Sequence, residues 1–121
     1  MPTGPLRILV VDDQPMVARA LSRMLHGHVV HIADGLGTAY QLVKQETYDV
    51  VIADHNLRDG CGVDLLRAAH AQVSVVISGA PPDERYDDDL ASGQFHWVNK
   101  PFRRKTIDAL VAQAARQESA A

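Results

Sequence analysis

Disulfides, long apolar runs and a surplus of positive charge are all missing from the 121-residue chain. Cys61 is the only cysteine, so no internal disulfide can form, which fits a reducing compartment. No apolar stretch is long enough to span a bilayer, and no secretory leader is recognisable. The formal net charge of -3 and the lack of a basic stripe argue against direct nucleic-acid binding. We therefore expect a cytoplasmic protein that binds neither membrane nor nucleic acid.

The length suits one compact domain and leaves no room for a second, such as a DNA-binding output module. We expect a single domain over residues 1–121, with its core at about residues 6–116. Short β-branched runs alternate with helical patterns five times along this core. The predicted strands are 6–11, 28–32, 48–54, 73–77 and 95–98. A helical pattern follows each strand, and the fourth helix is predicted to open at residues 81–84.

Near-continuous apolar strands predict a parallel sheet with helices on both faces. Right-handed crossovers between such strands give a doubly wound α/β fold. Among the orders that such folds adopt, we expect the flavodoxin-like one, with five parallel strands in the order 2-1-3-4-5. This order places the first strand beside the third and the third beside the fourth. Ligands of such folds bind outside the carboxyl ends of the strands.

Charged and polar residues end or closely follow four of the predicted strands, at the edge where ligands bind. Asp12 and Asp13 follow the first strand, and Asp54 ends the third. Ser78 follows the fourth strand, and Lys100 lies just after the fifth. Clustered carboxylates raise each other's pKa unless a cation relieves their repulsion. Because Mg²⁺ takes oxygen ligands and completes its shell with substrate phosphate, these residues predict a magnesium site with phosphoryl chemistry.

Four stretches carry a family resemblance and occur in the order that the family requires. They are ILVVDD at 8–13, DVVIAD at 49–54, VVISG at 75–79 and WVNKPF at 97–102. Together they resemble the CheY-like receiver domain of two-component response regulators. The segment 53–60 is most similar to receivers on the C-terminal side of hybrid sensor histidine kinases, although a free-standing regulator is also possible. The resemblance implies a signalling phosphoacceptor that promotes its own phosphorylation and dephosphorylation, and not an enzyme.

The resemblance also implies a ligand set for magnesium. Asp13, Asp54 and the backbone carbonyl of Asn56 would bind the metal directly. Asp12 would assist through a water molecule. An oxygen of Asp54 would then attack a phosphoryl group carried by a histidine of a sensor kinase or of a histidine phosphotransfer domain.

The same resemblance implies an output switch. Lys100 and the hydroxyl of Ser78 would neutralise the incoming phosphoryl oxygens. Ser78 would move towards the phosphoryl group while Trp97 turns into the vacated space. This movement would remodel the face formed by the fourth helix, the fifth strand and the fifth helix. Acidic residues within 83–89 and basic residues 103–105 flank that face, which would suit a reciprocal homodimer.

The loop after the third strand departs from the family pattern. Receivers usually have proline where Arg58 stands, and Gly60 and Gly62 predict a loosely held loop. Because side chains alternate in direction along a strand, we expect His55 to point away from the pocket. Cys61 is expected to be an incidental exposed thiol.

Two other functions fit an acidic α/β pocket. A metal-dependent aspartyl phosphatase would need a substrate cap and a second aspartate at the position of Asn56. A phosphorylation-independent interaction module would not need the complete acidic set, which therefore argues against it.

The Lys100–Pro101 peptide is expected to be cis, because that geometry would aim the lysine.

Overall fold

The computed structural model describes the backbone of residues 5–120 and the side chains of residues 5–114. The strands of the main sheet are β1 (Arg7–Val11), β2 (Val29–Ala33), β3 (Val50–Asp54), β4 (Val73–Ser78) and β5 (His96–Asn99). The helices are α1 (Pro15–Met24), α2 (Leu36–Gln45), α3 (Gly62–Ala69), α4 (Asp87–Ser92) and α5 (Arg104–Ala120). Within this described part, no helix is both long enough and apolar enough to cross a membrane.

The main sheet is parallel throughout, in the order β2-β1-β3-β4-β5. This is the doubly wound, flavodoxin-like order predicted from the sequence, and the prediction is confirmed. The register aligns the carboxyl ends of the central strands, because Val11 pairs with Ala53 and Asp54 pairs with Ile77. Residues that follow these strands therefore meet at one edge of the sheet.

Two apolar layers, one on each face of the sheet, support that edge. Alternate strand residues point to opposite faces. Ile8 and Val10 therefore pack with residues of α1 and α5, whereas Leu9 and Val11 pack with residues of α2 and α3. β3 and β4 are buried along their whole length. Burial of each large apolar side chain contributes roughly 1.5–3 kcal/mol, so the sheet is a stable base for the polar residues at its end.

The fourth helix begins later than predicted. The sequence pattern opens a helix at residues 81–84, whereas a 3-10 turn comes first and α4 starts only at Asp87. Pro82 disfavours helical conformation in the residue before it and has no amide hydrogen to donate. Asp83 then opens the 3-10 turn by accepting a hydrogen bond from the backbone N–H of Arg85 at 2.9 Å. The delay leaves α4 with six residues.

Candidate functional site

Three carboxylates meet at the carboxyl edge of the sheet. Asp12 and Asp13 follow β1, and Asp54 ends β3. One oxygen of each carboxylate lies within 4.8 Å of an oxygen of the other two. The side chains of Asp12 and Asp54 are only 1% and 9% exposed, and that of Asp13 is 15% exposed. Like charges this close are unfavourable without compensation, so the cluster favours a cation.

Lys100 supplies one positive charge to this cluster. Its Nζ donates a hydrogen bond to Oδ2 of Asp54 at 3.1 Å and lies 3.8 Å from Oδ2 of Asp12. The Lys100–Pro101 peptide is cis, as predicted. The backbone N–H of Lys100 donates to the carbonyl of Ser78 at 2.7 Å, which joins the ends of β5 and β4. One ammonium against three carboxylates leaves an excess of negative charge that a divalent cation would balance.

Asp12 has an oxygen that accepts no hydrogen bond from the described residues. Its Oδ1 accepts the backbone N–H of Gln14 at 2.8 Å, but its Oδ2 is buried and has no hydrogen-bond partner among the described residues. Burial raises the pKa of Asp12, the Gln14 amide opposes this, and the charge of Asp54 raises the pKa further. A buried carboxylate oxygen is costly unless it is paired. This donor set fits a small, hard cation such as Mg²⁺.

The segment after Asp54 forms a short hairpin in which Asn56–Leu57 pairs with Gly60–Cys61, a structure that the sequence did not predict. Gly60 has a φ of +147°, a conformation that favours glycine. A Cβ at Gly62 would lie 2.1 Å from the carbonyl oxygen of Asp54. A tight turn at Gly60 and close packing at Gly62 therefore explain both glycines.

The hairpin contacts the acidic cluster through two backbone amides. The N–H of Arg58 donates to Oδ2 of Asp13 at 3.0 Å, and the N–H of Asn56 donates to Oδ1 of Asp54 at 3.2 Å. The side chain of Arg58 is 88% exposed, with its Nε 3.9 Å from Asp13. In the sequence, Arg58 stands out only as a departure from the family pattern. Its amide contact could not be predicted, because a backbone group leaves no sequence signal.

Ser78 and Trp97 are connected through Ala80. Ser78 ends β4, is 2% exposed, and its Oγ accepts the backbone N–H of Ala80 at 3.1 Å. The carbonyl of Ala80 accepts hydrogen bonds from Nε1 of Trp97 at 3.0 Å and from Nδ2 of Asn99 at 2.9 Å. Ser78 and Trp97 were predicted as switch residues, whereas Ala80 was missed because it contributes only its backbone.

The ring of Trp97 packs in an aromatic cluster beside the site. Its centroid lies 5.0 Å from that of His55 and 5.8 Å from that of Tyr86. The ring of His55 therefore lies among aromatic side chains. Cys61 is not the exposed thiol that was predicted, because it is partly buried and its Sγ lies 3.7 Å from the Tyr86 hydroxyl. Burial, followed by the contact with Cys61, raises the pKa of Tyr86.

Fold and site together define a class of protein: a doubly wound α/β domain with an acidic pocket and a lysine at the carboxyl edge of its sheet. Residues 8–112 match the family model described as the response regulator receiver domain. The chain belongs to this family, and the predicted resemblance is confirmed.

Individual relatives agree with the family match. The chain is 33% identical over 123 residues to the DNA-binding response regulator MtrA of Mycolicibacterium smegmatis, covering 97% of this chain and 54% of MtrA. A CheY-like receiver domain protein from Methanospirillum hungatei JF-1 shares the fold with a TM-score of 0.82, at 22% identity, covering 98% of this chain and 100% of that structure. The beryllofluoride-activated NtrC4 receiver domain dimer matches with a TM-score of 0.78, at 24% identity, covering 92% and 97%. The chain spans about half the length of the curated relatives it matches first.

Family membership establishes the class of function. Receiver domains are signalling domains of two-component response regulators; they typically accept a phosphoryl group on an aspartate, bind Mg²⁺ and interact with histidine kinases and phosphotransfer partners. The predicted phosphoacceptor function is confirmed at this level, and neither the phosphatase nor the interaction module is favoured. Asn56 stands where a phosphatase of the kind considered would have its second aspartate.

Proposed function

We propose that this receiver domain accepts a phosphoryl group on Asp54 in a reaction that requires Mg²⁺. The observation that carries the proposal is the 3.1 Å contact between Nζ of Lys100 and Oδ2 of Asp54, inside a cluster of three carboxylates. A buried carboxylate at the end of a stable strand is held in place for attack, and the nearby ammonium is placed to bind the oxygens of the incoming group.

The acidic cluster would hold Mg²⁺ through carboxylate oxygens. Asp13, Asp54 and the backbone carbonyl of Asn56 would be the direct ligands, and Asp12 would contribute through a water molecule. The Oδ2 of Asp12 has the Lys100 ammonium 3.8 Å away but no hydrogen-bond partner among the described residues, which supports this assignment, because a bound ion or its water would satisfy that oxygen. When bound, the ion would neutralise charge on the phosphoryl oxygens.

The transfer exchanges one bond to phosphorus for another. An oxygen of Asp54 forms a bond to phosphorus while the bond from phosphorus to the donor histidine nitrogen breaks. The electron pair of the broken bond stays on that nitrogen, which takes up a proton. Lys100 would then bind a phosphoryl oxygen, and the hydroxyl of Ser78 would turn from Ala80 to donate to another.

Rotation of Ser78 would release its contact with Ala80, which also holds the ring of Trp97. Phosphorylation of Asp54 would in this way change the structure of the face formed by α4, β5 and α5. An open groove of about 730 Å³ runs along that face, and Leu90, Phe95 and Trp97 contribute to its lining. An apolar groove that changes with phosphorylation would provide an output surface.

Charges beside the groove support a reciprocal contact between two copies, although fewer are available than the sequence indicates. Asp89 pairs with Arg67 at 3.0 Å, and Arg104 pairs with Asp108 at 3.6 Å. Among the described side chains, those at this face that make no ion pair are Glu84, Asp87, Asp88, Arg103 and Lys105. Exposed ion pairs contribute about 0–1 kcal/mol each, so they would set orientation more than affinity.

The phosphoryl donor would be a sensor histidine kinase or a histidine phosphotransfer domain, and the location that suits this exchange is the cytoplasm. Such a partner presents its phosphorylated histidine at an accessible surface. The acidic cluster lies at an accessible edge of the sheet, where Asp13 is partly exposed. An incoming donor can therefore reach the site without unfolding of the core.

Intact mass spectrometry tests the acceptor. Acetyl phosphate with Mg²⁺ should add one phosphoryl group to the chain, and a metal chelator should prevent the addition. Asp54→Asn should gain none. The matched control is Asp49→Asn. Asp49 directly precedes β3, at the end of the strand opposite to Asp54, and its carboxylate accepts the backbone N–H of Arg7 at 2.8 Å. This variant should be labelled like the wild type. Equal labelling of Asp54→Asn would refute the proposal.

A further inference from the structure

The two turn residues of the hairpin connect the acidic cluster to the start of α2. On one side, the backbone N–H of Arg58 donates to Oδ2 of Asp13 at 3.0 Å. On the other side, the carboxylate of Asp59 accepts the backbone N–H groups of Leu36 and Gly37 at 2.9 and 3.1 Å. Adjacent residues of one tight turn therefore bridge a carboxylate of the proposed metal site and a helix.

The start of α2 has no cap of its own. Its N-cap residue, Gly35, has no side chain to accept the first amides of the helix. Asp59 supplies the missing acceptor from a distant part of the chain, and the positive end of the helix dipole favours its charge. The hydrogen bonds from the two helix amides lower the pKa of Asp59. Leu36 also packs closely on Gly60, since a Cβ there would come within 2.7 Å of its Cδ1.

Asp13 has few other contacts to hold it. Among the described residues, the amide of Arg58 makes the only hydrogen bond to the Asp13 side chain. The Arg58 guanidinium is 88% exposed and 3.9 Å away, so solvent screens its charge. A carboxylate that accepts one N–H keeps further lone pairs for a metal. The orientation of those lone pairs then depends on where the turn places the Arg58 amide.

We propose that Asp59 is a positioning residue of the metal site: by fixing the hairpin turn to α2, it places the amide that orients Asp13. This inference rests on the Mg²⁺ site of the proposed function. Groups that orient metal ligands commonly change affinity by about 10- to 100-fold when they are removed. Loss of the Asp59 carboxylate therefore weakens Mg²⁺ binding, although the contacts of that carboxylate are with α2 and not with the cluster.

Calorimetric titration of the unphosphorylated protein with Mg²⁺ tests this. Asp59→Ala should raise the Mg²⁺ dissociation constant about 10-fold. Asp59→Asn keeps one acceptor oxygen and should recover a large part of the loss. Asp49→Ala is the matched control, because it also removes a carboxylate that accepts a backbone N–H, but near the opposite end of β3; its affinity should equal that of the wild type. Thermal unfolding of each variant checks that it is folded during the titration.

A double-mutant cycle asks whether Asp59 acts through the Arg58 amide. Receivers usually have proline at this position and hold the metal without such an amide, so reliance on the Arg58 N–H is proposed for this chain alone. Arg58→Pro removes the N–H whereas Arg58→Ala keeps it, so only the proline variant should lose affinity. Asp59→Ala should then add little to the loss in Arg58→Pro, because the two changes remove the same link. Full additivity, or wild-type affinity in Asp59→Ala, would overturn the inference. Failure of the wild type to bind Mg²⁺ would overturn the proposed function itself.

Discussion

Gly62→Ala tests how tightly the hairpin and the end of β3 are packed. A Cβ at residue 62 would lie 2.1 Å from the carbonyl oxygen of Asp54, which falls short of an ordinary 3.4 Å contact by about 1.3 Å. It would also lie 3.1 Å from Cβ of Ala53. Because the obstacle is backbone within a buried strand, it cannot move aside cheaply. Overpacking of this kind costs about 1–3 kcal/mol, and the free energy of unfolding should fall by that amount.

Gly37→Ala is the matched control for this change. Both glycines lie in the first turn of a helix, but a Cβ at Gly37 meets nothing closer than Oδ2 of Asp59 at 4.0 Å. Since alanine is favoured over glycine in a helix by up to about 1 kcal/mol, Gly37→Ala should be neutral or stabilising. Urea unfolding followed by circular dichroism measures both variants. Equal stability of Gly62→Ala and the wild type would refute the packing argument.

Three further perturbations follow from contacts at the site. Lys100→Ala removes the ammonium beside Asp54 and should slow phosphorylation by acetyl phosphate about 100-fold. Calorimetry should show that Mg²⁺ binding is not weakened. An unchanged rate of phosphorylation would exclude a role for the lysine. The pKa of Asp59 is lowered in the folded state. The ionised carboxylate therefore stabilises the folded protein fully above the unfolded pKa of about 3.8, and this stabilisation is lost as the pH falls through the folded pKa. Urea unfolding should accordingly show Asp59→Asn less stable than the wild type near neutral pH, with a gap that closes in acid. Beryllofluoride with Mg²⁺ should change the fluorescence of Trp97, because its ring N–H is bonded to the carbonyl of Ala80 beside the site, and Asp54→Asn should show no change.

The sheet order and the acidic cluster could be predicted because short-range patterns identify the strands and the family resemblance supplies their order. Apolar β-branched runs identify the strands, and the handedness of crossovers limits which strands can be neighbours. Once the order is known, Asp12 and Asp54 must lie at the same edge, since β1 and β3 pair in register. Lys100 must lie at the same edge, because it comes directly after β5. Local pattern and topology were sufficient for these residues.

Contacts made by backbone groups could not be predicted in this way. Gly62 has the same sequence signal whether it loosens a loop or accommodates the carbonyl of Asp54, and only the packed structure separates the two. The Asp59 carboxylate caps a helix 23 residues earlier in the chain, through amides that leave no side-chain pattern. Cys61 is likewise partly buried because Tyr86, 25 residues away, packs against it. Each of these contacts depends on distant segments meeting in space.

The most direct test of Asp54 as the single acceptor is chemical trapping of the phosphorylated residue. Borohydride reduces an aspartyl phosphate to homoserine, and tandem mass spectrometry of peptides then locates that residue in the chain. We predict homoserine at position 54 and not at Asp12 or Asp13, and only after phosphorylation in the presence of Mg²⁺. Homoserine at Asp12 or Asp13, or a phosphorylated protein in which residue 54 is unchanged, would contradict the assignment.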